Sequence, residues 1–223
     1  MTMNLFIQAI TKFLLGVILI GLLIFLPAGS ISFVNGWLFM LVLFVPMFLA
    51  GIVMMVRNPK LLQKRLRAKE TQKEQSIVVK LSGLMFLAGF ILAGLGYRFH
   101  WYILPKGIVI GAVVVFLIAY ILYAEVLREN TYLSRTIEVS ENQQVIDTGL
   151  YGIVRHPMYS VTLFLFLSMP IILGSLYSFL IFLVYPFIIA KRIKGEEAFL
   201  EKELEGYSEY KQKVKYRLIP FLW

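Results

Sequence analysis

The residues best suited to chemistry are concentrated in one polar loop and at the start of the apolar region that follows it. The loop contains the pattern Gly149-x-Tyr151-x-x-x-Arg155-His156-Pro157-x-Tyr159. Glycine permits close backbone approach and positive φ. Pro157 suits the first turn of a helix, where its missing N–H has no partner anyway, and the N–H groups of such a turn bind anions such as carboxylates. The pattern therefore predicts a binding site, although a snorkelling arginine, interfacial tyrosines and a capping histidine would produce the same residues.

A second polar cluster follows the apolar region. We expect a helix to begin at residues 192–197. Arg192 and Glu196 are four residues apart, so they share a face of that helix, and Glu197 comes directly after them. Taken alone, this spacing is also explained by a surface ion pair. Further on, Tyr207 and Tyr210 belong to a segment that we interpret as an amphipathic helix, followed by an apolar terminus.

The composition shows which elements must position these two clusters. Of the 223 residues, 59% are hydrophobic and 16% are charged, whereas about 25% are charged in soluble proteins. A span needs about 20 apolar residues. We therefore predict an all-α, polytopic integral membrane protein with four transmembrane helices, a C-terminal membrane helical hairpin and a cytoplasmic cap. The four spans are predicted at residues 13–26 (with a start as early as Leu5), 34–56, 77–97 and 107–127.

The hairpin is predicted from residues 158–190, which contain no charged residue. This region is too long for one ordinary span and too short for two full spans with a loop, and Pro170 and Gly174-Ser175 interrupt it. A hairpin that enters and returns on one side brings the 149–159 loop and the 192–197 stretch together around a shared pocket. The chain is thus divided into N-terminal helices at 1–128, with a basic loop at 57–80, and a core at 129–223.

The charge distribution predicts the orientation of the chain. Basic residues are concentrated in the 57–80 loop and in the tail from 191 to 217, and the formal net charge is +9. By the positive-inside rule, both termini are expected on the cytoplasmic side. A bacterial or archaeal cell membrane and the endoplasmic reticulum fit equally. Anionic lipid headgroups are the expected partner of these charges, and nucleic acid is not.

Within the basic loop, one short pattern predicts either an amphipathic helix on the membrane surface or a solvated loop. Its residues are Leu61, Leu62, Arg65, Leu66 and Lys69.

The chain has no cysteine and two histidines. We therefore expect no disulfide, no thiolate metal site and no three-histidine metal site, and no metal is required.

Together, the two clusters resemble the isoprenylcysteine carboxyl methyltransferase family and, more loosely, the phospholipid N-methyltransferases. The resemblance covers about residues 130–223 and depends on the ordered set of the loop pattern, the apolar hairpin, Arg192-x-x-x-Glu196-Glu197, the spaced tyrosines and a proline near the end. It implies S-adenosylmethionine as cofactor, bound without a Rossmann domain. By position, the implied cofactor-binding residues are Gln143, Gln144, Val145, Ile146, Gly149, Tyr151, His156, Pro157, Met158, Tyr159 and Glu196.

The resemblance also implies methyl transfer to a lipid-borne acceptor at the cytoplasmic face, with Arg192 orienting the acceptor and His156 as a second catalytic candidate. A carboxylate acceptor is already ionised and needs no base, and an arginine can bind it bidentately. An amine must first lose a proton, for which His156 and Glu197 are the candidate bases. The shortage of bases favours a carboxylate, with phospholipid amine N-methylation as the alternative.

Two further classes of protein remain as alternatives. An NADPH-dependent membrane reductase of the sterol-reductase type can carry a similar Arg-His-Pro-x-Tyr segment, but it usually has Gly-Glu soon after the tyrosine, whereas Tyr159 is followed here by Ser160-Val161-Thr162. A non-enzymatic scaffold or transporter is disfavoured because the spans have no acidic or basic residue in their middles, where transporters place them.

Overall fold

The computed structural model describes residues 3–66, 73–101, 103–133, 137, 139 and 141–223. Within these residues the regular structure is helical, consisting of nine α-helices and a 3-10 turn at Gly149–Gly152. The α-helices are α1 (Met3–Ala28), α2 (Val34–Arg57), α3 (Pro59–Leu66), α4 (Lys73–Arg98), α5 (Lys106–Glu129), α6 (Pro157–Ile172), α7 (Leu176–Phe182), α8 (Tyr185–Glu203) and α9 (Tyr207–Lys213).

The long helices have the length and surface of membrane spans. Helices α1, α2, α4 and α5, and the segment Leu176–Glu203 that holds α7 and α8, are long and apolar enough to cross a membrane, and α6 is a shorter apolar helix. Large apolar side chains such as Leu15, Ile121 and Phe187 lie exposed on their surfaces, where lipid is the solvent. The protein is therefore an all-α polytopic membrane protein, as the composition predicted, and the first four spans lie where they were expected.

The segment between α2 and α4 begins as the amphipathic pattern predicted. Asn58 ends α2, and its Oδ1 accepts a hydrogen bond from the Leu61 backbone N–H at 3.1 Å, so the same residue caps α3. Leu61 and Leu62 are buried against the rest of the protein. Of the two alternatives left open by the sequence, the structure shows the helix, over Pro59–Leu66; Lys69, assigned to the same pattern, lies outside the described residues.

The apolar region 158–190 forms the predicted hairpin. Helix α6 runs in one direction, the chain turns at 173–175, and α7 and α8 return. Gly174 has φ of +73°, a conformation that glycine adopts without steric cost. Ser175 then caps α7, because its side chain accepts a hydrogen bond from the Ser178 backbone N–H.

The position of the second polar cluster differs from the prediction in one respect. Residues 192–197 were expected to begin a helix, but they lie in the middle of α8, which continues from Tyr185 to Glu203. The stretch contains good helix formers and no proline beyond the first turn, so nothing breaks the helix where the apolar region ends. The end of the membrane hairpin and the polar cluster therefore lie on one continuous helix.

Aromatic packing holds the hairpin against the N-terminal helices. Phe39, Phe90 and Phe182 are fully buried and lie in one core, with the Phe90 and Phe182 ring centroids 6.1 Å apart. A Cβ on Gly89 would lie 2.3 Å from the Phe182 ring, so α4 and α7 approach more closely than any larger residue would allow. This packing holds the returning arm of the hairpin against α4.

The ends of the helices define two faces of the molecule. On one, Leu104 donates its backbone N–H to the Gly174 carbonyl, which joins the α4–α5 turn to the hairpin turn. The other face carries α3, the end of α5, the start of α6, the polar half of α8, and α9, and we call it the basic face. Both sequence clusters lie on the basic face.

Candidate functional site

A buried ionic cluster joins the loop, α8 and the C-terminal tail. The Glu197 carboxylate accepts hydrogen bonds from Arg155 Nε at 2.8 Å and Arg217 Nε at 2.9 Å, and His156 Nε2 lies 3.2 Å from it. Arg155 also donates to the backbone carbonyls of Val214 and Lys215. With three cationic or hydrogen-bonding partners, the buried carboxylate is well compensated, and three distant segments are held at one point.

Backbone hydrogen bonds strengthen the same junction. The backbone N–H groups of Arg155 and His156 donate to the carbonyls of Tyr216 and Arg217, each at 2.9 Å. Ser160 Oγ donates to the Leu218 carbonyl at 2.6 Å. The tail therefore lies along the start of α6 and closes one side of the site, and its last residues fold back on the protein.

A second set of hydrogen-bonded polar side chains lies beside this ionic cluster and faces a pocket. The Tyr159 hydroxyl donates to the Glu196 carboxylate and accepts from Arg192 Nε at 2.8 Å. Tyr159 and Arg192 are buried, whereas Glu196 is partly exposed. One tyrosine on α6 thus orients both charged residues of the Arg192-x-x-x-Glu196 pattern toward the same space.

The pocket is formed by the loop before α6, the first turn of α6, the polar half of α8 and α9. Its empty space, including the open mouth and the solvent in it, is about 820 Å³. The pocket is lined by Asn130, Tyr132, Leu133, Ile137, Gln143, Gln144, Val145, Ile146, Tyr151, Arg155, His156, Met158, Tyr159, Arg192, Glu196, Leu200, Leu204, Tyr207 and Tyr210.

Most residues proposed from the sequence line this pocket. The lining includes Arg192 and, among the proposed cofactor residues, all except Gly149 and Pro157. Pro157 begins α6. Gly149 has φ of +51°, and a Cβ there would lie 1.4 Å from Glu129 Oε1, so Gly149 shapes the loop beside the pocket. The Glu129 carboxylate in turn accepts the Leu150 backbone N–H at 3.0 Å.

Several lining residues received no cofactor or catalytic role in the sequence analysis, although Arg155, Tyr207 and Tyr210 belong to the patterns that it singled out. They are Asn130, Tyr132, Leu133, Ile137, Arg155, Leu200, Leu204, Tyr207 and Tyr210. The spacing of four residues from Glu196 to Leu200 and from Leu200 to Leu204 carried a usable signal, because it repeats one face of a helix. In the sequence analysis that spacing was not followed beyond Glu196.

Buried tyrosines form the wall contributed by the tail. Tyr210 donates its hydroxyl to the Tyr151 carbonyl at 2.7 Å, which fixes α9 to the loop. Burial raises the pKa of Tyr207 and of Tyr210 above that of an ordinary tyrosine, so both remain neutral donors. The Tyr207 hydroxyl is buried and has no hydrogen-bond partner among the described residues, which is unusual because buried polar atoms are normally paired.

The fold and the site together define a polytopic helical membrane protein with a polar pocket at one membrane face. Residues 106–206, just under half of the chain, match the model of the phospholipid methyltransferase family. This match spans α5 through most of the pocket, and the resemblance to membrane methyltransferases that modify lipids is therefore confirmed over these residues.

A curated relative shows a second similarity. Over 91 residues the chain is 31% identical to the mouse (Mus musculus) Delta(14)-sterol reductase TM7SF2. The aligned stretch is 40% of this chain and 22% of the reductase, so the chain spans about a fifth of that relative.

Proposed function

We propose that this protein transfers a methyl group from S-adenosylmethionine to a carboxylate of a lipid-borne acceptor at the basic face of the membrane. The observation that carries the proposal is that Tyr159 bridges Arg192 and Glu196 at the wall of one pocket. A carboxylate suited to a cationic donor and a guanidinium suited to an anionic acceptor are thereby held a few ångströms apart.

The pocket residues fit the proposed cofactor. Glu196 provides a negative charge for a sulfonium or an amino group, and the aliphatic side chains of Val145, Leu200 and Leu204 provide apolar wall. The Tyr207 hydroxyl, which lacks a partner among the described residues, is a donor available to a polar group of the cofactor. When bound, the cofactor supplies a methyl group on a positively charged sulfur.

The geometry supports a carboxylate as the acceptor. Arg192 can orient a carboxylate without any proton transfer. An acceptor oxygen then forms the new bond to the methyl carbon while the carbon–sulfur bond breaks, and the electron pair remains on sulfur. The amine alternative needs a base, and the two candidates are poorly placed for that task, since Glu197 already accepts from Arg155 and Arg217 and lies beside His156.

The membrane setting supports a lipid acceptor. The pocket opens at the basic face, where α5 and α6 leave the apolar part of the molecule, so an acceptor chain can remain in the bilayer while its head enters the pocket. Exclusion of water and alignment of the reactants contribute most of the rate enhancement in such a displacement. By the positive-inside rule the basic face is cytoplasmic, and both termini lie there.

The similarity to a sterol reductase supports a second candidate, an NADPH-dependent reduction. The electrostatics of the wall weigh against it, because NADPH carries several negative charges and Glu196 would repel them. Arg155, which belongs to the loop, is engaged by Glu197 and two backbone carbonyls, and Arg192 is the residue that we assign to the acceptor. The pocket therefore suits a cationic cofactor better than a polyanionic one.

Calorimetric titration of the purified protein with S-adenosylhomocysteine and with NADPH separates the two candidates. We expect binding of the former and none of the latter; the reverse would replace the proposal with the reductase. Incubation of a total lipid extract with methyl-labelled donor then identifies the acceptor. A labelled lipid that releases methanol in mild base is an ester and confirms the carboxylate, whereas a base-stable label indicates an amine.

A further inference from the structure

The turn at residues 219–223 exposes two large apolar side chains on the basic face. Phe221 is 89% exposed and Leu222 is 76% exposed, so both are more exposed than Ile121 on the lipid-facing surface of α5, at 70%. The Tyr216 ring centre lies 5.2 Å from that of Phe221 and leaves most of the Phe221 ring uncovered. Water is a poor solvent for such side chains, so the turn is expected to have an apolar partner.

Backbone hydrogen bonds fix the direction of this turn. The Trp223 carbonyl accepts hydrogen bonds from the Arg217 N–H at 2.9 Å and from the Leu218 N–H at 3.0 Å, which closes the turn. Phe221 has φ of +66°, a backbone conformation that is rare for a bulky residue. The closed turn therefore holds the side chains of Phe221 and Leu222 away from the protein.

The tail is attached to α6 beside the surface that faces lipid. Ser160 Oγ, in the first turn of α6, donates to the Leu218 carbonyl. Phe164 comes four residues later, so it lies on the same face of α6, and it is 49% exposed. Four residues advance a helix by about 6 Å. The turn is therefore continuous with the apolar surface that contacts the bilayer, and lipid is the partner that this position favours.

Basic residues beside the turn fit the polar side of a lipid interface. Lys211, Lys213 and Lys215 precede the turn, and Lys215 is exposed. Apolar side chains next to basic ones are typical of segments that bind the surface of anionic bilayers.

The turn also contacts the ionic cluster beside the pocket. The Arg217 Cζ lies 5.2 Å from the Trp223 ring centre, and Arg217 Nε donates to the Glu197 carboxylate. The backbone carbonyl of Arg217 accepts the His156 N–H. An interaction that holds the turn in place therefore also holds the tail against the loop and α8.

We propose that Phe221 and Leu222 insert into the lipid interface beside α6, and that this anchor holds the tail against the pocket. The partner is the headgroup and upper acyl region of an anionic bilayer. The apolar pair enters the acyl region while the lysines remain among the phosphates. The inference goes beyond the proposed methyl transfer and does not depend on it, because it concerns contact with the bilayer and not the ligand of the pocket.

The depth of the turn is measured with a spin label. The chain has no cysteine, so a nitroxide on Leu222→Cys reports one position, and Glu203→Cys, at the exposed end of α8, is the control. Both proteins are placed in nanodiscs of phosphatidylcholine and phosphatidylglycerol. Collisions of the label with oxygen, which concentrates in lipid, are compared with collisions with a polar nickel chelate, which lipid excludes.

We expect the ratio of oxygen to nickel collisions to be roughly fivefold higher at position 222 than at position 203, because a polar chelate enters an apolar medium poorly. Equal ratios at the two positions would place the turn in water and overturn the inference. A label at position 222 that is protected from both reagents would show that protein covers the turn, which would overturn it equally.

The effect of the anchor on the tail is measured by amide hydrogen exchange in the same nanodiscs. Leu222→Ser is compared with Ile31→Ser, a matched control because Ile31 is also 76% exposed and lies in the turn between α1 and α2 on the opposite face. The reporting amides are those of Arg155 and His156, which donate to carbonyls of the tail. We expect roughly threefold faster exchange of these amides in Leu222→Ser and no change in Ile31→Ser.

Leu222→Met keeps an apolar side chain at the same position and is expected to exchange as the unaltered protein does. Exchange that is as fast in Leu222→Met as in Leu222→Ser would show that any substitution disturbs the tail, and would overturn the anchoring role. Unchanged exchange of the two amides in Leu222→Ser would overturn it as well.

Discussion

Arg155 and Glu197 are 42 positions apart in the chain, yet the Arg155 Nε lies 2.8 Å from Glu197 Oε1, and both side chains are almost completely buried. Arg217 of the tail binds the other carboxylate oxygen. The pair therefore joins the loop before α6, the returning helix α8 and the C-terminal tail. The pocket lies between these segments, so its shape depends on this contact.

Glu197→Gln is expected to destabilise the protein strongly. The amide cannot compensate two arginines, and leaving a buried charge without its partner costs about 3–5 kcal/mol. Thermal unfolding in detergent measures the change. Glu201→Gln is the matched control, because Glu201 forms an exposed pair with Lys211 and such pairs contribute at most about 1 kcal/mol. Equal melting temperatures for the two variants would contradict the structural role of the cluster.

Tyr207→Phe is expected to weaken S-adenosylhomocysteine binding without lowering stability. The Tyr207 hydroxyl has no partner among the described residues, so its removal costs the folded protein nothing, whereas a neutral hydrogen bond to the cofactor contributes about 0.5–1.5 kcal/mol, or two- to twelvefold in affinity. Titration calorimetry and thermal unfolding measure the two effects.

Tyr210→Phe provides the contrast to Tyr207→Phe. It breaks the hydrogen bond to the Tyr151 carbonyl and is expected to lower stability by about 1 kcal/mol. Identical behaviour of the two phenylalanine variants would show that the Tyr207 hydroxyl does not serve a ligand.

Gly149→Ala is expected to displace the loop and reduce cofactor binding. An alanine at φ of +51° is strained by about 1–2 kcal/mol, and its Cβ would lie 1.4 Å from Glu129 Oε1, so the Glu129–Leu150 contact must also break. Gly111→Ala is the control, since nothing lies within 4 Å of a Cβ there and alanine favours the helix. Unchanged affinity for S-adenosylhomocysteine in Gly149→Ala would show that the loop does not shape the cofactor site.

Substitutions of Glu196 and of Arg192 are expected to have different effects, the first on cofactor binding and the second on turnover of the acceptor. Glu196→Ala should abolish binding of S-adenosylhomocysteine, because it removes the carboxylate from the pocket wall. Arg192→Ala should leave that binding within a few-fold of normal and eliminate transfer of the labelled methyl group. Titration and labelling of lipid extract measure the two effects. Normal methyl transfer in either variant would refute the assigned roles.

The membrane architecture was predictable from local sequence. Apolar length predicted the first four spans, and Pro157 marked the start of α6. The uncharged stretch 158–190 predicted a hairpin because a span has a minimum length set by the bilayer. The hairpin in turn predicted that the 149–159 loop and residues 192–197 lie close together. These two stretches contribute most of the site residues that line the pocket.

Only the tertiary structure decided how the polar residues pair within the site. The sequence placed Glu196 and Glu197 side by side, but the helical rotation between them turns one toward the pocket and the other toward Arg155 and Arg217. The contact of Arg65 with Met158 joins residues far apart in the chain. Such contacts depend on how neighbouring helices pack against one another in three dimensions. The periodicity of the sequence shows which face of a helix is buried, but it does not show which distant segment packs against that face.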